Sequence, residues 1–120
     1  MTREWIVDVL ADYECTVIPL SAEDDGSLVG TVVRRRNGMS SRTAFLYVHG
    51  YVDYFFHEHV ANAVAEAGMD FYAVELRRYG RSLRGGNRPN YCTNLEEYFA
   101  EITQAIDVIL NEDAHDNIVL

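Results

Sequence analysis

An apolar run, Thr43–Val48, ends in His49-Gly50-Tyr51, and an aromatic segment follows at once, reading FLYVHGYVDYFF over residues 45–56. A backbone turn at the end of a strand has three uses: to bind an anion, to hold a reacting carbonyl against fixed N–H groups, or only to redirect the chain. Ser82, in Gly80-Arg-Ser-Leu-Arg84, is the serine best placed to attack a carbonyl, but Arg84 occupies the second glycine of a G-x-S-x-G elbow. Ser21, Ser27, Ser40 and Ser41 all lie in turn-like stretches. His57-Glu58-His59 invites a metal. Side chains two apart on a helix diverge, so a solvated helix face is the better reading and no metal site is expected. Asp70 and Glu75 read as loop and strand-end carboxylates rather than a catalytic pair. His115 falls in a loop before the last strand and is no triad base. The arginines within Arg77–Arg88 form a loop that would meet an anionic group such as phosphate, and Arg34-Arg35-Arg36 reads as a charged strand end guarding a sheet edge.

These residues need elements to position them. Trp5–Asp12 is expected to form a short helical turn. Cys15–Leu20 and Leu28–Arg35 are apolar and β-branched, and Glu23-Asp-Asp-Gly26 between them is a turn signal, so an antiparallel hairpin is predicted. Asn37–Ser41 is a loop. Thr43–Val48 reads as a strand covered on both faces. Asp53 is placed to cap a helix whose stripe is Phe56, Val60, Ala63, Val64 and Ala67, with Gly68 just past its end. Phe71–Leu76 is the next strand, completing a βαβ unit with parallel strands and a right-handed crossover. Thr93 or Asn94, with Glu96 or Glu97, makes a capping box for a second helix. Its stripe is Leu95, Tyr98, Phe99, Ile102, Ile106, Ile109 and Leu110. Asn111–Asn117 is an acidic loop, and Ile118-Val119-Leu120 reads as the onset of another buried strand. Internal repeats and linkers are lacking, so residues 1–120 read as one α/β unit.

With these elements in place, the chain resembles the N-terminal part of an α/β-hydrolase. It is most similar to the serine aminopeptidase-like, monoacylglycerol lipase and lysophospholipase group. The residues that carry the resemblance are YVHGYVDYF (47–55) and ELRRYGRS (75–82), with Arg78 and Tyr79 standing where Gly and His are more usual. The following helix, Asn94–Leu110, and the onset Asp116–Leu120 fit the same pattern, so it covers nearly the whole chain. The resemblance implies that the backbone N–H of Tyr51 contributes to an oxyanion hole, while His49 and Gly50 shape the turn. It implies a carboxylic ester as substrate and no cofactor. It also implies that the nucleophile follows a fifth strand, placing the elbow beyond Leu120 and leaving these 120 residues inactive alone. The alternative is a non-catalytic α/β module that binds or assembles. A nucleotide-binding domain would want a glycine-rich turn after the first parallel strand, and His49-Gly50-Tyr51 offers one glycine there.

Composition bounds the partners. Nineteen acidic against ten basic residues leave a formal net charge of -9, which repels nucleic acid and anionic membranes. Trp5–Leu10 is short and interrupted by Asp8, neither a signal peptide nor a membrane span. Cys15 and Cys92 form no CxxC pair and are read as reduced thiols of a cytoplasmic protein. Self-association through an unpaired apolar strand at Ile118, Val119 and Leu120 is expected.

Overall fold

A computed structural model describes residues 4–8, 12–20, 28–36, 42–49, 58–83 and 94–120. The turn at Glu23–Gly26, the loop Asn37–Ser41, the candidate site residues Gly50 and Tyr51, and Asp53, Phe56, His57, Arg84–Asn90, Cys92 and Thr93 lie outside them, as do Ser21 and Ser27. Among the described residues, six strands form one mixed sheet in the order β1-β2-β3-β5-β4-β6. They are β1 (Ile6–Val7), β2 (Glu14–Pro19), β3 (Val29–Arg35), β4 (Thr43–Val48), β5 (Asp70–Glu75) and β6 (Asn117–Val119). The fold is α/β. The predicted hairpin is present as antiparallel β2 and β3. β4, β5 and β6 are mutually parallel, with β4 between the other two. No described helix is long and apolar enough to cross a membrane.

Among the described residues, two α-helices cover the sheet, α1 (Glu58–Glu66) and α2 (Phe99–Asp107). Alternation along the strands decides which face each helix takes. Ala44, Leu46, Tyr72 and Val74 pack with Ala105 of α2 and with Ile109 just beyond it. Phe71, Ala73 and Val33 pack with Ala61 and Val64 of α1, joined by the half-buried Phe45 and Tyr47. The two clusters therefore lie on opposite faces, and β5, enclosed by both, is buried at every residue.

Several expectations are corrected here. The described part of Trp5–Asp12 is not helical: Ile6 and Val7 pair antiparallel with Cys15 and Glu14, and Asp12 lies at φ 73°. A two-residue edge strand is too short to show period-2 alternation, so the sequence carried no signal for it. The stripe of α1 is Val60, Ala61 and Val64; Ala63 and Ala67 are exposed. Gly68 adopts φ +83° beyond the helix, the left-handed conformation that closes it.

The second helix departs further from its expected form. It opens with a 3-10 turn, Leu95–Tyr98, capped by Asn94, whose Oδ1 accepts from Glu96 N (2.8 Å) while its own N–H donates to Glu97 Oε2 (3.0 Å). It closes in a π turn, Val108–Glu112. The buried face is Tyr98, Glu101, Ala105, Val108 and Ile109, whereas Leu95 and Phe99 are 73% and 64% exposed. Asp70, expected in a loop, is the first residue of β5. β6 is not unpaired, since it pairs with β4 from Thr43↔Asn117 to Phe45↔Val119.

Candidate functional site

Parallel strands place their useful residues at their carboxyl ends, where connections open above the sheet. At that edge β4 delivers His49 and β5 delivers Leu76. His49 is buried, and its Nε2 accepts a hydrogen bond from Leu76 N at 3.0 Å. Nε2 therefore carries a lone pair and the ring proton sits on Nδ1. The imidazole also packs on the Tyr79 ring, with centroids 4.4 Å apart. Leu76, Tyr79 and Tyr98 form a small apolar cluster with Val48 and Ile102, which screens this bond from water. The end of β4 is thus tied to the connection after β5 through the His49 side chain.

That second connection is held internally. Arg78 adopts φ 65° and Gly80 φ 39°, two left-handed residues that bend the chain back into a 3-10 turn, Gly80–Ser82. Arg78 thus takes a conformation that glycine adopts more cheaply. Ser82 is fully buried: its hydroxyl donates to Glu75 O at 2.7 Å and lies 3.0 Å from Thr31 Oγ1. A hydroxyl enclosed in this way staples the turn to β3 and β5 and has no access to a substrate.

Two arginines of this loop, Arg77 and Arg81, are spent inside the protein. Arg81 grips Asp8 through two 2.7 Å bonds from Nε and Nη2. It also reaches the fully buried Glu75, whose Oε1 accepts from Arg81 N at 2.7 Å and whose Oε2 accepts from Nη1. Burial alone would lower the basicity of Arg81, but the bonds to Asp8 and the charge of Glu75 raise it overall. Burial, then the charge of Asp8, pushes up the Cys15 thiol. Arg77 clasps Glu101 from β5's end to α2: its N and Nε donate to Oε2 at 2.9 and 3.0 Å, and Nη2 donates to Oε1 at 2.8 Å and to Glu97 O at 2.7 Å. Hydrogen bonding to Glu101 raises the Arg77 guanidinium above its usual range. Glu101 comes this deep because β3 offers Gly30 beneath it; a Cβ there would stand 2.9 Å from Glu101 Cγ.

The other sequence-level candidates sit elsewhere. Glu58 and His59 are exposed at the start of α1, and no group of three or more metal-ligating side chains occurs among the described residues. Asp70 and Glu75 occupy opposite ends of β5, about 16 Å apart at 3.3 Å per residue, so they share no chemistry. Asp70 meets His115 at the amino end of the strands. Arg34, Arg35 and Arg36 do not guard an edge, because β3 runs between β2 and β5. Arg34 lies over the Trp5 ring at 3.6 Å and bonds Glu14 and Asp113; Arg35 donates to Asn62. Beside them, at the same amino end, Asp12, Arg35, Arg36 and Ala65 line an open depression of about 400 Å³.

Sequence reasoning missed two buried arginine–carboxylate clusters among the described residues, Arg77–Glu101 and Asp8–Arg81–Glu75. One signal was available for the first: Glu101 is spaced three from Tyr98 and four from Ala105, which puts a carboxylate on the helix face that the apolar residues share. Comparison with family models, with curated proteins and with solved structures returned no match.

Proposed function

We propose that these 120 residues are the N-terminal portion of a serine hydrolase of the α/β-hydrolase type acting on carboxylic esters, and that they contribute the oxyanion turn. The observation that carries the proposal is the hydrogen bond from Leu76 N to His49 Nε2 at the carboxyl edge of parallel β4 and β5. It anchors the stretch leading into Gly50 and Tyr51 at the edge where an acyl group would arrive. β4 is the third strand counting from β2, and an N–H after the third strand is one half of the oxyanion hole in such enzymes. In the proposed reaction a serine supplied from outside these residues attacks the ester carbonyl. The Tyr51 N–H then stabilises the charge growing on the carbonyl oxygen, worth roughly 3 kcal/mol per donor. His49 positions that turn and moves no proton, because its Nε2 lone pair is already engaged.

A second reading, a non-catalytic module that binds or assembles, is favoured by one observation: Arg77, Arg81 and Ser82 all turn inward. One measurement tests the first reading, and a second separates the two. The 120-residue chain should not turn over a p-nitrophenyl acyl ester; serine-dependent turnover by this chain would contradict the proposed division of labour. Reading the coding sequence past codon 120 should reveal an in-frame G-x-S-x-G. A stop codon there, with a well-folded product, would favour the module.

A further inference from the structure

The end of the sheet opposite His49 holds the open depression of about 400 Å³ lined by Asp12, Arg35, Arg36 and Ala65. That volume falls in the range of small-molecule sites. Strand register puts its charges there. In antiparallel β2 and β3, Cys15 lies opposite Val33 and Glu14 opposite Arg34, and the same register runs Tyr13 toward Arg35 and Asp12 toward Arg36. Asp12 leaves strand geometry at φ 73°, a left-handed conformation that aspartate tolerates better than most residues. Asp12 and Arg36 therefore line one opening with opposite charges, yet no ion pair joins them among the described residues. We propose that this depression is a binding site for a small zwitterion of the amino acid type: its carboxylate lies between Arg35 and Arg36, its ammonium meets Asp12, and its carbon chain lies toward Ala65.

The two arginines are prepared in different ways. Arg35 is held in place: its Nη1 donates to Asn62 of α1, and its guanidinium carbon lies 5.8 Å from the centre of the Tyr13 ring. Asn62 takes one of the five N–H groups of that fork, and a fork already oriented loses less freedom when it binds. Arg36 is less engaged. Its Nε lies 3.6 Å from Oδ2 of the buried Asp70, beyond hydrogen-bond reach, and 42% of its side chain is exposed. Its guanidinium therefore has donors to offer a ligand. A simple anion is a poorer match for this lining, because Asp12 repels it, and a simple cation meets two guanidinium groups. A ligand carrying both charges satisfies all three side chains at once, through hydrogen bonds roughly twice as strong as neutral ones. The depression lies by the amino end of β5, whereas His49 follows the carboxyl end of the parallel β4. A ligand here would thus not touch the proposed oxyanion turn.

Amide NMR of the 120-residue chain, titrated with L-alanine and separately with γ-aminobutyrate, tests the site; the two probes differ in the distance between their charges. At least one of them is expected to shift the amides of Asp12, Arg36 and Ala65 saturably, with an affinity about tenfold or more above that of acetate or methylammonium. Asp12→Asn keeps the shape of its side chain and removes the charge, and Arg36→Gln neutralises an exposed one. Each should weaken the binding about tenfold and leave the amide spectrum dispersed. Shifts that fail to saturate with either probe up to about 100 mM would overturn the proposal. Acetate binding as tightly as the better zwitterion would also overturn it, whether or not the variants fold. So would an Asp12→Asn chain that binds the probe unchanged.

Discussion

Glu101 and Arg77 meet where α2 crosses the sheet, with the carboxylate fully enclosed and the guanidinium side chain 10% exposed. Such a pair adds little net stability when whole, because desolvation offsets most of its attraction. Deleting one partner strands the other in a low dielectric. Glu101→Ala is therefore expected to lower unfolding stability by about 3–5 kcal/mol in urea titration. A loss under 1 kcal/mol would mean that water reaches Arg77. Tyr72 sets a pH dependence of its own. Burial, then its hydrogen bond and proximity to Asp113, hold the phenol protonated far above the ordinary 10.0. The folded state thus favours the neutral form, so its contribution is complete below pH 10 and declines above it, where the unfolded chain's phenol ionises. Denaturation midpoints should fall on the alkaline side of pH 10, and Tyr72→Phe should flatten that decline. An unchanged slope in the variant would assign the loss to other groups.

At the scale of elements, the two helices show what periodicity conveys and where it misleads. Tyr98, Ala105 and Ile109 are buried at helical spacing, yet Leu95 and Phe99 are exposed. The difference arises because the first turn is 3-10 and the last is π, so the stripe shifts at both ends. The start of this helix depends on Asn94, which satisfies otherwise unpaired N–H groups of the first turn. Asn94→Ala should cost about 1 kcal/mol by thermal melting monitored in the far ultraviolet, whereas Asn94→Asp should cost little. Equal losses for the two would remove the capping explanation.

Over the whole molecule, two sheet margins matter. Among the described residues, β1 forms one margin with Ile6 and Val7 outward, and β6 forms the other, with Val119 43% and Leu120 81% exposed. A strand margin of this kind offers unpaired backbone groups beside apolar side chains, the combination that recruits a second chain. Sedimentation velocity should show concentration-dependent self-association, and Val119→Lys should reduce it, because an edge lysine cannot be buried cheaply. Monomeric behaviour at all concentrations in both proteins would contradict association through β6. The carboxyl edge of β4 and β5 is the other whole-molecule feature, since there His49 at the end of β4 meets Leu76 at the end of β5.

Residue order alone determined the hairpin of β2 and β3, the parallel β4–α1–β5 unit, a capping box opening at Thr93 or Asn94, and the left-handed residue at Gly68. Each depends on neighbours within a few positions, where steric preference and apolar spacing act directly. The same local information marked His49 as the end of a buried strand and removed Ser82 as an elbow. Tertiary structure decided the rest. Pairing of β6 with β4, the enclosure of Glu101 over Gly30, the grip of Arg81 on Asp8 and Glu75, and the meeting of His115 with Asp70 join residues far apart in the chain. A charged residue reads as solvated until its partner is brought to it, and only folding brings these partners within 3 Å.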